Sequence, residues 1–139
     1  MFILDSDIYS LGSYDYEPVT RRLASCKDQV AITIITRLEV LTGRAASVLK
    51  ASDSEQLRQA QPRLLDSEAI LSGFHLIWFD DAAFEILERM RANKKLFRKM
   101  GLKDLLIACI ALAHEATLVT RNTKDFANIP NLKLDNWAE

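Results

Sequence analysis

Short apolar runs alternate with longer helical segments along the whole chain. The run at 29–35 is rich in β-branched residues, which favours a strand, whereas in the segments between the runs apolar residues recur every three or four positions. The runs that predict strands are residues 1–5, 29–35, 75–79 and 117–119, with a short fifth at 131–134. Strands that alternate with helices predict βαβ units and a parallel sheet.

The helical segments differ in how their apolar residues are arranged. Residues 80–97 have a strongly amphipathic pattern that predicts one helix, ended by Gly101. Residues 102–114 are apolar nearly all round, so we expect a helix buried against the sheet. The other predicted helices cover 18–25, the residues from Thr36 onward, and 54–72, where Pro62 is a break or a helix start. The aromatic side chains expected in the core are Trp78, Phe79 and Phe84, with Trp137 packing the C-terminal tail.

The composition is that of an ordinary globular protein. With 139 residues, 49% of them hydrophobic, the chain can build one core, so we expect a single domain over residues 1–139. No apolar run is long enough to span a membrane and no signal peptide is evident, so a cytoplasmic location is expected. Neither Cys26 nor Cys109 lies in a metal-binding or redox spacing.

Positive charge is concentrated in one stretch, although the net charge of −1 argues against a broadly basic nucleic-acid binder. Seven Lys and Arg residues lie between Arg89 and Lys103, and Arg121 and Lys124 follow. Such a run is usually a solvated helix face. The alternative is a rim that binds phosphate groups beside an acidic site.

Four acidic residues stand where the chain passes from strand to helix. Asp5 and Glu39 follow predicted strands, Asp104 opens the most apolar helix, and Asp125 comes shortly after the fourth strand. Ligands of open parallel sheets bind outside the carboxyl ends of the strands, so these side chains can converge. Crowded carboxylates either take up protons or hold a hard cation such as Mg²⁺, which suits hydrolysis of phosphate esters.

Each of these acids also has a simpler explanation as a helix cap. Asp5 can cap the helix that follows it, and Asp104 can interact with a helix dipole. Thr36 and Glu39 have the spacing of a capping box, and residues 122–125 resemble another cap.

Four segments that contain these acids resemble the PIN-domain family, specifically its VapC-type toxins. They are ILDSDI at 3–8, ITIITRLE at 32–39, GLKDLLIA at 101–108 and LVTRNTKDF at 118–126. The match runs in order over essentially the whole chain. Asp5, Glu39 and Asp104 match the three core acids of the family, and Asp125 matches a fourth. Asn122 stands where many members have aspartate, and Asp7 where asparagine is more usual.

The resemblance implies a fold, an activity and partners. The fold is an α/β/α sandwich with a mostly parallel central sheet of four to five strands. The activity is that of an endoribonuclease dependent on Mg²⁺ or Mn²⁺, usually dimeric and held inactive by a cognate antitoxin. Asp5, Glu39, Asp104 and Asp125 would be the catalytic and metal-binding residues. Ser6, Thr120 and Asn122 would support them, and Lys103, Arg121 and Lys124 would bind RNA.

Other functions remain open. A catalytically inactive PIN-like module that binds RNA or protein is the main alternative, although the intact set of acids argues against it. A phosphotransfer receiver would need paired acids after its first strand, and a hydrolase triad would need a nucleophile near His75 or His114. We expect an antitoxin to use the helices between Thr36 and Leu71, unless these pack internally or form the homodimer. Their surplus apolar residues are Leu41, Val48, Leu49, Leu57, Leu64, Leu65 and Leu71.

Overall fold

Five strands and eight helices make up the described backbone. The structure is a computed structural model, and it describes residues 1–139 apart from the side chain of Phe97. The strands are β1 (Phe2–Leu4), β2 (Val30–Thr33), β3 (His75–Ile77), β4 (Thr117–Val119) and β5 (Lys133–Asp135). The helices are α1 (Ser6–Ser13), α2 (Glu17–Ser25), α3 (Ile34–Leu49), α4 (Ser54–Ser72), α5 (Asp81–Ala92), α6 (Lys94–Lys99), α7 (Leu102–Ala113) and α8 (Thr123–Phe126).

All five strands form one parallel sheet in the order β3-β2-β1-β4-β5. The central strand is β1, where Ile3 pairs with Ala31 of β2 on one side and with Leu118 of β4 on the other. From β1 the chain moves outward to β3, then crosses back to β4 and moves outward again. The order therefore reverses between β1 and β4, which is where open α/β sheets bind their ligands.

The strands divide their apolar residues between two cores. Neighbouring residues of a strand point to opposite faces of the sheet. Ile3 and Leu118 accordingly pack with residues of α5 and α7, whereas Leu4 and Val119 pack with residues of α1, α2 and α4. Helices cover both faces of the sheet, so the predicted α/β/α sandwich is confirmed.

The boundary between β2 and α3 differs from the prediction. Residues 29–35 were expected to be one strand, yet β2 ends at Thr33 and α3 begins at the next residue. The Thr33 side chain caps α3 by accepting a hydrogen bond from the Thr36 N–H at 3.2 Å. Ile34 and Ile35 are β-branched, so their composition alone does not distinguish the end of a strand from the first turn of a helix.

The predicted helix over residues 80–97 is interrupted at Asn93. Asn93 ends α5, and its side chain accepts a hydrogen bond from the Leu96 N–H and so caps α6. Asparagine competes with the helical backbone for such bonds, which explains a break inside an amphipathic pattern. Conversely, α4 continues through Pro62. Pro62 is exposed, so the carbonyl of Arg58 that loses its partner can bind water instead.

The outer strands are shorter than expected. β3 stops at Ile77 instead of residue 79. β5 begins at Lys133 instead of residue 131, because Asn131 has a left-handed φ of 66° that extended backbone cannot contain. α1 covers Ser6–Ser13, and Asp5 is its N-cap, as the capping interpretation of Asp5 predicted.

The prediction of buried side chains succeeded for α7 and failed for two aromatic residues. Residues 107–111 of α7 are fully buried, including Cys109, although Leu102 at its start is exposed. Trp78 and Phe84 were expected in the core, yet both are exposed, because β3 ends before Trp78 and Phe84 lies outside the buried stripe of α5. Among the described residues, no helix has both the length and the apolar character that crossing a membrane requires.

Trp137 fixes the C-terminal tail to the sheet. Its ring lies 5.2 Å from the Phe2 ring and 5.4 Å from the Arg22 guanidinium, measured to ring centroids. Its Nε1–H donates to Asp135 Oδ2 at 2.9 Å. The side chain is only 2% exposed, as the sequence predicted, whereas Trp78 is 72% exposed.

We predict that the two tryptophans differ sharply in their contribution to stability. Trp137→Ala should lower the free energy of unfolding by about 3–5 kcal/mol, because it removes a buried aromatic side chain. Trp78→Ala is the matched control and should change it by less than about 0.5 kcal/mol, as usual for surface positions. Urea titrations followed by circular dichroism measure both. Equal losses of unfolding free energy in the two variants would contradict the burial of Trp137 and the exposure of Trp78.

Candidate active site

Asp5 is a buried carboxylate at the carboxyl end of the central strand. It is 6% exposed. Its Oδ1 accepts a hydrogen bond from the Ser6 N–H at 2.8 Å and its Oδ2 accepts one from Thr120 Oγ1 at 2.9 Å. Burial, followed by the nearby charges of Asp7 and Asp104, raises its pKa from 3.8 to about 6, although the two hydrogen bonds lower it. Asp5 therefore caps α1, but its surroundings also penalise its charge strongly.

Glu39 does not form the capping box that its spacing suggested. Because α3 begins at Ile34, Thr36 and Glu39 both lie inside the helix and share one face, as residues three apart do. Glu39 Oε1 accepts a hydrogen bond from Ser6 Oγ at 3.0 Å, and Oε2 lies 3.7 Å from Lys103 Nζ. Its contacts reach α1 and α7, not the backbone of its own helix, so the capping interpretation is wrong.

Asp104 lies in the first turn of α7, among the other acids. Burial is the largest cause that raises its pKa, followed by the charges of Asp125, Glu39 and Asp7, while Lys103 lowers it. A carboxylate at a helix N-terminus is normally favoured in its charged form. The raised pKa means that crowding and loss of water outweigh that benefit here.

The segment after β4 brings the remaining predicted residues to the same edge. Thr120 is fully buried and joins two segments, since its hydroxyl donates to Asp5 and accepts from the Asn122 N–H at 3.1 Å. Asn122 occupies the N-cap position of α8 without a capping bond from its side chain. Asp125 is exposed and close enough to raise the pKa of Asp104, and Lys124 is also exposed.

Three features of this edge were not deduced from the sequence. Thr36 is fully buried, and its Oγ1 lies 3.2 Å from Ser6 Oγ. The spacing of three between Thr36 and Glu39 was the available signal, read as a cap. Lys103 pairs with Glu39, and Arg121 pairs with Asp7, so two basic residues contact acids directly instead of lying free at the rim.

The two histidines lie elsewhere. His75 is the first residue of β3, at the amino end of the sheet. His114 caps the C-terminus of α7, the end opposite Asp104, and its Nε2 lies 3.5 Å from Asp80 Oδ2. Both therefore occupy the element ends that the sequence predicted, and the acidic edge is built without them.

The donor chemistry of the acidic edge fits a hard divalent cation. The acceptors are carboxylate oxygens, which Mg²⁺ and Mn²⁺ prefer, and the raised pKa values of Asp5 and Asp104 reflect excess negative charge where water is scarce. Among the described residues, however, no three His, Cys, Asp or Glu side chains already surround a point where an ion could sit. Glu39 and Asp7 are paired with cationic side chains instead. An ion would have to compete with these pairs.

Comparison with known families identifies the family to which this fold belongs. The model of the PIN domain matches residues 3–132, which include all four predicted acids. The chain belongs to the PIN-domain family. The resemblance seen in the four sequence segments is thus confirmed.

One relative in this family matches over nearly the full length, and another matches over about a third of it. Ribonuclease VapC2 of Rickettsia felis is 32% identical over 143 aligned residues, which cover 99% of this chain and 98% of the relative. Ribonuclease VapC1 of Haemophilus influenzae is 44% identical over 46 residues, or 33% of this chain.

Solved structures with this fold include toxin–antitoxin complexes. The crystal structure of VapBC2 from Rickettsia felis, bound to a DNA fragment from their promoter, matches with a TM-score of 0.77 and 30% identity over 98% of both chains. A toxin–antitoxin complex from Klebsiella pneumoniae matches with a TM-score of 0.71 and 26% identity, over 99% of this chain and 98% of that one.

The raised pKa of Asp5 predicts a pH dependence of stability. In unfolded chains aspartate titrates near pH 3.9, and here the folded pKa is about 6. Between these values Asp5 holds a proton in the folded chain but not in the unfolded chain. Its contribution to the free energy of unfolding is therefore largest below about pH 4 and is lost as the pH rises through about 6. The loss is about 3 kcal/mol, at roughly 1.4 kcal/mol per pKa unit.

Asp5→Asn should remove this pH dependence of stability. Asp104→Asn should also reduce it, because the pKa of Asp104 is raised as well. Unfolding by urea in EDTA between pH 4 and pH 8 measures it as the difference between wild type and variant. Asp66→Asn, at an exposed position of α4, is the control. Parallel profiles for wild type and Asp5→Asn would contradict the burial of a charged carboxylate.

Proposed function

We propose that this protein is a metal-dependent endoribonuclease and the toxin of a toxin–antitoxin pair. The observation that carries the proposal is the gathering of Asp5, Glu39, Asp104 and Asp125 at one edge of the sheet, with the charges of Asp5 and Asp104 disfavoured. Support also comes from Ribonuclease VapC2, which is 32% identical over nearly the whole chain. The alternative, an inactive PIN-like module, has no use for four crowded acids, which cost stability at neutral pH.

The four acids would have distinct roles in hydrolysis. Asp5 and Asp104 would hold Mg²⁺ or Mn²⁺ most directly, since their charges gain most from neutralisation. Glu39 and Asp125 would bind the ion through water or orient the attacking water. The bound ion would lower the pKa of that water and offset the charge that develops on the phosphate.

Hydroxyl groups would keep the acids in place. Thr120 holds Oδ2 of Asp5, and Ser6 holds Oε1 of Glu39. Each hydroxyl donates to one carboxylate oxygen. The other oxygen is paired with the Ser6 N–H in Asp5 and with Lys103 in Glu39. The side chain of Asn122 makes no capping bond, so it is available to complete the site.

Basic side chains at the rim would bind the RNA backbone. Lys103, which pairs with Glu39, and Lys124, which is exposed, lie on the segments that carry Asp104 and Asp125. Phosphate contacts of this kind position a strand without reading its sequence. If an ion draws Glu39 away, Lys103 is left to bind a phosphate.

We predict RNA degradation that depends on a divalent cation and on the acids. Wild-type protein should cleave RNA with Mg²⁺ or Mn²⁺ but not with EDTA. Asp5→Asn and Asp104→Asn should reduce the rate about a hundredfold or more, the scale of losing one electrostatic contact with the transition state. Mg²⁺ should also raise the melting temperature of wild type but not of Asp5→Asn, because a ligand that binds only the folded state stabilises it.

Asp66→Asn serves again as the control and should retain full activity. RNA binding without cleavage in any divalent cation, with unchanged melting temperatures, would favour the inactive binding module instead. Cleavage that persists in EDTA would reject the metal-dependent mechanism.

A cognate antitoxin is the proposed protein partner. The VapBC2 structure is a complex of this kind, and its matched chain is 30% identical to this chain. The α3–α4 surface, defined here as Leu49, Leu57 and Leu65, is exposed on the helices expected to bind it. Of the other residues in the expected groove, Leu41, Val48 and Leu64 are half-buried, whereas Leu71 is only 1% exposed and belongs to the core, so it was assigned wrongly.

Substitutions on the α3–α4 surface should weaken the complex with the antitoxin. Leu49→Asp and Leu65→Asp should reduce co-purification with the product of the neighbouring gene, because each places a charge in an apolar contact. Phe84→Asp, an exposed apolar position on α5, is the matched control. If the complex survives both changes while the protein becomes monomeric, the surface forms the homodimer that the family resemblance implies. If neither assembly changes, the surface serves neither.

A further inference from the structure

Asp7 also lies at this edge but is not among the four acids proposed to bind the metal. Its Oδ2 accepts hydrogen bonds from the backbone N–H of Arg121 at 3.2 Å and from Arg121 Nε at 3.3 Å. Its Oδ1 accepts from the Ile8 N–H at 2.7 Å. Both carboxylate oxygens are therefore committed, and Asp7 binds Arg121 at two points.

Asp7 carries an electrostatic cost. Its charge raises the pKa of both Asp5 and Asp104, so it makes an already crowded edge more negative. The Asp7 side chain is only 17% exposed, and Arg121 is the cation that compensates it. The pair thus joins the start of α1 to the segment after β4, across the strand-order reversal of the sheet.

The pairing leaves the outer end of Arg121 free to bind a ligand. Asp7 uses Nε, and within the described chain no other carboxylate pairs with Arg121. The guanidinium is planar, so a bond at Nε also fixes the direction of the two terminal nitrogens. The Arg121 side chain is 54% exposed, next to Thr120, which holds Asp5. These nitrogens form a fork that matches the two free oxygens of a phosphate.

We propose that Asp7 is a positioning residue, which holds Arg121 so that its terminal nitrogens bind a phosphate of the RNA strand beside the bond that is cleaved. The inference rests on the proposed ribonuclease function and adds to it a defined phosphate contact. Asp7 itself touches neither the RNA nor the reacting atoms. A purely structural role, tying two segments together, would need only the bond from the Arg121 backbone.

The variants separate these two roles. Arg121→Ala removes the guanidinium but keeps the backbone bond to Asp7. Asp7→Ala removes both bonds, and Asp7→Asn restores an oxygen that can accept them. Arg63→Ala, at an exposed arginine of α4, controls for a general loss of positive charge.

The first measurement is the affinity of the full chain for a single-stranded RNA oligonucleotide in EDTA, with the RNA verified as intact. Arg121→Ala and Asp7→Ala should each weaken binding about tenfold, the scale of a charge-assisted hydrogen bond. The double variant should be no weaker than either single variant, because one contact is lost in all three. Asp7→Asn should recover most of the affinity.

The second measurement is the dependence of binding on salt. The slope of log affinity against log salt concentration should shrink by about 0.7 for Arg121→Ala, as expected for one phosphate contact to a single strand. Asp7→Ala should shrink it similarly, although it removes a negative charge. A variant that merely lost an acid would instead bind RNA more tightly.

The third measurement is steady-state cleavage in Mg²⁺. Arg121→Ala should raise KM about tenfold with less than about a threefold change in kcat, since the contact serves binding of substrate and transition state alike. Arg63→Ala should leave both near wild type.

The outcomes keep this inference distinct from the nuclease proposal. Additive losses in the double variant, or an unchanged affinity and KM in Asp7→Ala, would overturn the positioning role while cleavage by wild type continued. If no cation supports cleavage but binding still depends jointly on Asp7 and Arg121, the phosphate contact stands and the nuclease assignment falls.

Discussion

Burial of the central strand on both faces and both edges is the constraint on which the rest of the structure depends. β1 has only three residues, yet Ile3 belongs to one core, Leu4 to the other, and both neighbouring strands pair with it. The next residue is Asp5, which is consequently almost out of contact with water. The same packing that stabilises the sheet therefore creates the charged group whose pKa is most clearly perturbed at this edge.

The acidic edge balances its charge by local pairing. Lys103 contacts Glu39 and Arg121 contacts Asp7, while the hydroxyl of Ser6 donates to Glu39 and that of Thr120 to Asp5. These contacts reduce the repulsion without removing it, because the pKa of Asp5 and that of Asp104 remain raised. The proposed cation would relieve the repulsion that remains, so the acids at this edge would serve function at a cost in stability.

The sequence predicted the order of the elements and the position of the acids because buried strands and helices are apolar, so a charged residue beside them is conspicuous. Asp5 could be found because it follows an apolar run, and Asp104 because it stands at the start of an apolar helix. The first turn of α3 was missed because Ile34 and Ile35 suit strands and helices alike. Asn93 was missed because a side-chain cap inside a periodic pattern leaves no mark on the period. The pairing of Asp7 with Arg121 joins residues 114 positions apart, so only the folded sheet brings it into view.

The direct junction between β2 and α3 has a kinetic consequence. No connecting residue separates Thr33 from Ile34, and the Thr33 side chain locks the first turn, so the backbone beneath Glu39 has no slack. A ligand that draws Glu39 toward Asp104 must do so by rotating side-chain bonds. Rotamer changes at accessible side chains take picoseconds to nanoseconds, whereas hinge motions take microseconds to milliseconds. Glu39 would then rearrange without waiting for slower backbone motion, and the reluctance of Mg²⁺ to lose its water would limit how fast the proposed ion binds.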